Sequence, residues 1–138
     1  LLKVKSFDKT INKVVPFLNW NECREMLRSD ITFGSHTCGH VNLATLNDEQ
    51  VDLELSKSKK IIEKELGISC DHFAAPWGRK GIDFKEGVLT RLAKKNEYKT
   101  VVTTNRGKVY EKSNPYLIKR DHVLAEWGNS QLDYFFGK

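Results

Sequence analysis

The segment Ile31-Thr32-Phe33-Gly34-Ser35-His36-Thr37-Cys38-Gly39-His40 joins a short apolar run, a Gly-Ser end and two histidines with three residues between them. Imidazole is the commonest side-chain ligand for divalent transition metals, and two rings at this spacing can converge on one ion. A buried strand over Ile31–Phe33 would deliver both rings to its carboxyl end, where open α/β sheets keep their sites.

On the downstream side the spacing predicts a long helix from Asp48 to Leu66. Asn47 caps it, Gln50 occupies the capping-box position, and Asp48 and Glu49 complement the helix dipole. Val51, Leu55, Ser58, Ile62 and Leu66 recur on one face, and Gly67 follows as the terminating glycine. Glu54, Glu63 and Glu65 beside Lys57, Lys59 and Lys60 read as a solvated face with i,i+4 pairs. Upstream, Asn19 to Arg28 reads as a short helix capped by Asn19 or Asn21, with Cys23, Met26 and Leu27 as its apolar stripe. Residues 1–16 fit either a helix or an approach loop.

Further along, His72–Ala75 reads as a strand stopped by Pro76-Trp77-Gly78, Lys85–Lys95 as a helix, and Thr100–Thr104 as a strand before a turn at Asn105-Arg106-Gly107. Leu117–Arg120 is expected as another strand and Ser130–Phe136 as a last amphipathic helix. Strands alternating with helices are the pattern of parallel βαβ units. The fold class expected is α/β, a parallel sheet flanked by helices, open or closed into a barrel.

A length of 138 residues suits one domain, expected to span 1–138. The net charge of +5 arises from lysines scattered among acidic residues. That reads as a solvated surface and not as a nucleic-acid face, which would interleave basic residues with exposed aromatics. No apolar segment approaches the roughly 20 residues of a membrane span. The first residues lack the features of a signal peptide, which favours the cytoplasm over export without fixing the compartment. Cys23, Cys38 and Cys70 form no C-x-x-C and no disulfide framework.

Leu18-Asn19-Trp20-Asn21-Glu22, the segment from Ile31 to Leu43, the helix ending at Leu66-Gly67 and Phe73-Ala74-Ala75-Pro76-Trp77-Gly78 together resemble, in order, the polysaccharide deacetylases. This is the NodB-homology group, carbohydrate esterase family 4. The resemblance spans roughly residues 17–122, and its most specific element is His-[Ser/Thr]-x-x-His, matched by His36, Thr37 and His40. It implies a distorted TIM-like (β/α) barrel that removes acetyl groups from N-acetylated sugars. It also implies a divalent metal, zinc first and cobalt or nickel as substitutes, with His36 and His40 among its ligands. Thr37 would be a hydroxyl steadying the loop, and Pro76, Trp77 and Gly78 one wall of the sugar groove.

Two departures bear on activity. The family's first motif, two adjacent aspartates supplying a general base and the third metal ligand, has no counterpart: no Asp-Asp occurs in the chain. Asp8 is too close to His36 for that role and reads as an unrelated surface residue. The first strand and helix of the barrel are therefore expected upstream of Leu1, and the unpaired sheet edge makes a homodimer conceivable. The arginine that normally stands two residues before the third-motif proline is Ala74 here. His122 is the candidate for the distal general acid. A catalytically inactive carbohydrate-binding or assembly remnant is the alternative function, and a zinc-stabilised module using Cys38 is a third.

Overall fold

The computed structural model describes residues 17–121 and 127–136, the last three without their side chains. Asp8 and His122 lie outside the described residues. By internal contacts the described residues fall into two compact units, one up to Thr32 and one from Phe33 onward.

In the first unit, α1 runs Trp20–Leu27. Asn19 caps it: its Oδ1 accepts the N–H groups of Asn21 at 2.9 Å and Glu22 at 3.0 Å. Glu22 Oε2 accepts the Asn19 N–H at 2.7 Å and closes the capping box. Cys23 is its buried residue.

The second unit contains α2 (Asp48–Leu66), β1 (His72–Ala74), α3 (Glu86–Lys95), β2 (Thr100–Val102) and α4 (Asn129–Phe136). α2 has the bounds that its caps predict. Asn47 Oδ1 accepts the Gln50 N–H at 2.9 Å, Gln50 Oε1 accepts the Asn47 N–H at 3.0 Å, and Gly67 ends the helix at φ 68°. β1 and β2 pair in parallel, His72 with Thr100 and Ala74 with Val102. Phe73 and Val101 point from the ladder into a core shared with Leu55 of α2 and Leu89 and Leu92 of α3. Among the described residues no helix is long and apolar enough to cross a membrane.

Two expected strands do not form. Ile31–Phe33 makes no ladder, and this part of the chain joins the sheet only at Ser35, which bridges Phe73 in parallel. Continuing that register would set Phe33 opposite Asp71, before β1 begins, where the Asp71 carbonyl already accepts the N–H of Lys99 at 2.7 Å. Gly34 makes the approach possible, since a Cβ there would sit 2.9 Å from the His72 carbonyl oxygen. Leu117–Arg120 is likewise reduced to one parallel bridge, Ile118 to Val102, because a 3-10 turn over Pro115–Leu117 occupies its start. Pro115 fixes the φ of that turn and Asn114 caps it.

The result is four parallel tracks in chain order: Ser35, β1, β2 and Ile118. Parallel tracks end at the same edge. The residues that follow them, from His36, Ala75, Thr103 and Lys119 onward, therefore gather on the carboxyl side.

Candidate active site

Ser35 is locked to β1 by two bonds, its N–H to the His72 carbonyl and the Ala74 N–H to its own carbonyl, both 2.8 Å. That register puts His36 beside the end of β1, where its Nδ1 lies 2.7 Å from the Ala74 carbonyl oxygen. A carbonyl can only accept, so Nδ1 carries the proton and the Nε2 lone pair is left free. This is how metal-ligating histidines are held in one tautomer and one orientation. The His40 ring packs edge-on to His36, with centroids 4.9 Å apart, and to Trp77, with centroids 4.7 Å apart. The sequence-predicted pair and the tryptophan of the Pro-Trp-Gly turn thus form one cluster.

Backbone strain is concentrated here. Thr37 (φ 67°), His40 (φ 48°) and Trp77 (φ 53°) all occupy the left-handed region, which costs a residue with a Cβ about 1–2 kcal/mol. Such strain persists only where the surroundings over-determine it. At the turn, Gly78 (φ 73°) lies so close to the β2 exit that a Cβ would be 2.8 Å from the Thr104 nitrogen. The Thr104 N–H donates to the Gly78 carbonyl at 2.9 Å, and its hydroxyl donates to the Trp77 carbonyl. Pro76 and Gly78 are buried, while Trp77 keeps 49% of its surface exposed. Of the three expected groove residues, Trp77 therefore offers the open face, and its two neighbours hold it.

Beneath the histidines lies a buried polar layer. Ser35 Oγ and Ser58 Oγ are 2.6 Å apart, Ser58 Oγ donates to the Glu54 carbonyl at 2.6 Å, and the Tyr98 hydroxyl donates to the Leu55 carbonyl at 2.9 Å. Burial pushes the Tyr98 phenol up to about 12 against the opposing hydrogen bonds of Ser35 and Ser58. The Thr37 hydroxyl is buried with no hydrogen-bond partner among the described residues.

Several features carried no sequence signal. The solvated reading of Glu54 is corrected: its Oε2 accepts the N–H groups of Cys38 at 2.7 Å and Gly39 at 3.1 Å. Glu63 does pair with Lys59 at 3.3 Å but also accepts the Cys70 N–H at 3.1 Å. Buried Asp83 takes Arg79 in a fork, Nε at 2.8 Å and Nη2 at 2.9 Å, and its carbonyl accepts the Ala44 N–H at 3.0 Å. The loop after His40 is thereby tied to the loop after Trp77. Asp121 pairs with Arg106, while Arg120 gives its Nε–H to the Thr103 carbonyl at 3.2 Å. These residues, with Arg79 and Thr104, line a cleft of about 440 Å³ beside the Trp77 turn. His72 is exposed, its Nδ1 2.8 Å from the Thr100 hydroxyl.

His36 and His40 are fit to hold a divalent ion as two ligands of a larger set. Among the described residues no third His, Cys, Asp or Glu joins them. The Cys38 thiol is pushed up, first by burial and then by the Glu54 carboxylate.

The profile of the polysaccharide deacetylase family matches residues 5–101. No curated protein matches the chain. Among solved structures it is similar to the Streptococcus pyogenes deacetylase PplD in complex with acetate, at 24% identity and a TM-score of 0.75, over 83% of this chain and 49% of that one. A de-N-acetylase from Aggregatibacter actinomycetemcomitans aligns at 19% identity and a TM-score of 0.68, over 86% of this chain and 53% of that one. A CE4 family pseudoenzyme from Bacillus anthracis aligns at 23% identity and a TM-score of 0.52, over 60% and 28%. The chain belongs to the polysaccharide deacetylase family. Its tracks and helices make up part of that family's distorted (β/α) barrel, and it spans about half the length of the first two structures.

Proposed function

We propose that this chain carries the two-histidine half of a metal-dependent site that removes N-acetyl groups from sugars. The observation that supports the reading best is the 2.7 Å contact between His36 Nδ1 and the Ala74 carbonyl. It spends one ring nitrogen on orientation and leaves the other for a ligand, beside a second imidazole. A zinc, cobalt or nickel ion held there would polarise an acetamide carbonyl and acidify water. Trp77 would present an apolar face to the sugar ring, and His36 and His40 would supply neutral nitrogen ligands. The remaining ligand and the general base are family features with no counterpart among the described residues.

Elemental analysis of the purified chain and of its His36→Ala/His40→Ala variant tests the reading, together with acetate release from N-acetylglucosamine oligomers. Bound metal that disappears in the variant supports the site, and metal retained by the variant overturns it. Ala74 at the position of the family's arginine, with no third ligand among the described residues, is the ground for a second reading, an inactive carbohydrate-binding relative of the fold. It is supported if the oligomers bind and quench Trp77 fluorescence while no acetate appears.

A further inference from the structure

Glu54 grips the histidine segment twice. Its carboxylate reaches from α2 to the loop, where Oε2 accepts two successive backbone N–H groups, Cys38 at 2.7 Å and Gly39 at 3.1 Å. Its own carbonyl accepts the Ser58 hydroxyl at 2.6 Å, and that hydroxyl lies 2.6 Å from the hydroxyl of Ser35. His36 sits between the two grips, and His40 follows directly after the second.

The geometry of the loop explains why an acceptor oxygen is needed there. Thr37 at φ 67° precedes the two donors and His40 at φ 48° follows them. A left-handed residue in such a loop turns neighbouring N–H groups to one side, into a concave cradle that suits an anion. In an open loop that cradle would hold water. Here a side chain from α2, the helix that follows the loop, fills it, and charge-assisted bonds of this kind are about twice as strong as neutral ones. They offset the cost of holding two residues with a Cβ in the left-handed region.

We infer that Glu54 is the positioning residue of the site: its carboxylate, clamped on the Cys38 and Gly39 amides, sets the separation of the His36 and His40 rings. The inference rests on the metal-site reading for its consequence, and on the hydrogen bonds alone for the clamp. Both amides bond to Oε2, and among the described residues Glu54 does not group with the two histidines as a third ligand. Because both bonds go to a single oxygen, the amide of a glutamine can make them too.

The test compares the chain with Glu54→Gln and Glu54→Ala. Zinc affinity is measured by calorimetry. In metal-free protein, NMR follows amide exchange at Cys38 and Gly39 and the His40 ring-proton shifts, which the edge-on Trp77 ring displaces. We expect Glu54→Gln to stay within about threefold of the parent in zinc affinity, with protected amides and unchanged shifts. Glu54→Ala should bind zinc about 10- to 100-fold more weakly, the usual effect of losing an orienting partner. Its two amides should exchange freely and the His40 ring shifts move toward those of an unstructured histidine. Parent-like affinity and shifts in Glu54→Ala overturn the inference. So does a Glu54→Gln that loses zinc as fully as alanine while its amides stay protected, since charge and not position would then matter. If the parent chain binds no zinc, the metal reading fails, while the exchange and ring shifts still decide the clamp.

Discussion

Asp83 joins two of the loops around the histidines, and its chemistry sets a pH dependence. The Arg79 guanidinium holds its carboxyl below the usual carboxylate range, against the opposing effect of burial. A lowered folded-state value means that the stabilisation is fully present above about pH 4, the value of an unfolded aspartate. It is lost as the pH falls through the lower, folded value. Asp83→Asn should therefore be less stable than the parent by about 2 kcal/mol at pH 7. The gap should close on acidification, as urea midpoints taken across the pH range will show; a gap that persists at the acid end would contradict the assignment. At this scale the sequence is legible where function needs a particular side chain. His36 and His40 stand out by type and spacing and Trp77 through the family resemblance, and the structure brings the three rings together. It is silent where the partner is main chain. The Ala74 carbonyl that fixes the His36 tautomer has no side-chain signature, and neither do the amides that capture Glu54. Glu54 looks like any helix-surface glutamate until the loop is folded over it.

Among the elements, α2 was the most readable because its ends are written in side chains. Asn47 and Gln50 bond reciprocally to each other's backbone, and Val51, Leu55, Ser58 and Leu66 are buried on one face. Asn47→Ala should cost about 1 kcal/mol. It should lower the urea midpoint and leave the slope of the transition unchanged; an unaltered midpoint would mean that the cap is not holding the helix. The strands were less readable for a physical reason. A run such as Ile31-Thr32-Phe33 reports apolarity, but pairing depends on where the neighbour's free N–H and C=O groups lie. Since β1 begins only at His72, that run falls opposite residues that precede the ladder. Leu117–Arg120 failed as a strand because Asn114 and Pro115 bend its start into a 3-10 turn.

In the molecule as a whole, helix packing on the sheet is what aligns the carboxyl ends of the four tracks. Leu55 is central to it: fully buried, it belongs to the core formed with Phe73 and Val101, and its carbonyl accepts the Tyr98 hydroxyl. Leu55→Ala should cost about 2–5 kcal/mol, depending on how far the space left behind collapses. Chemical denaturation will read that directly, and a loss under 1 kcal/mol would show that α2 is not packed against the sheet as described. The alternation of helix and strand made the parallel α/β class legible. The thinness of its outer tracks was not, because a single bridge leaves no pattern in a sequence.

That thinness has a consequence for the site. β1 and β2 share a ladder, but the Ser35 track is attached through one bridge and the polar grips beside it. Local opening of a native protein begins where the fewest bonds must break, so partial unzipping of this sheet starts at its margins, and the histidines ride on one of them. Any ligand that requires both imidazoles binds only the zipped form. It then stabilises that margin in proportion to its own concentration and affinity. Occupancy of the site and closure of the sheet's edge are one equilibrium, seen from two ends.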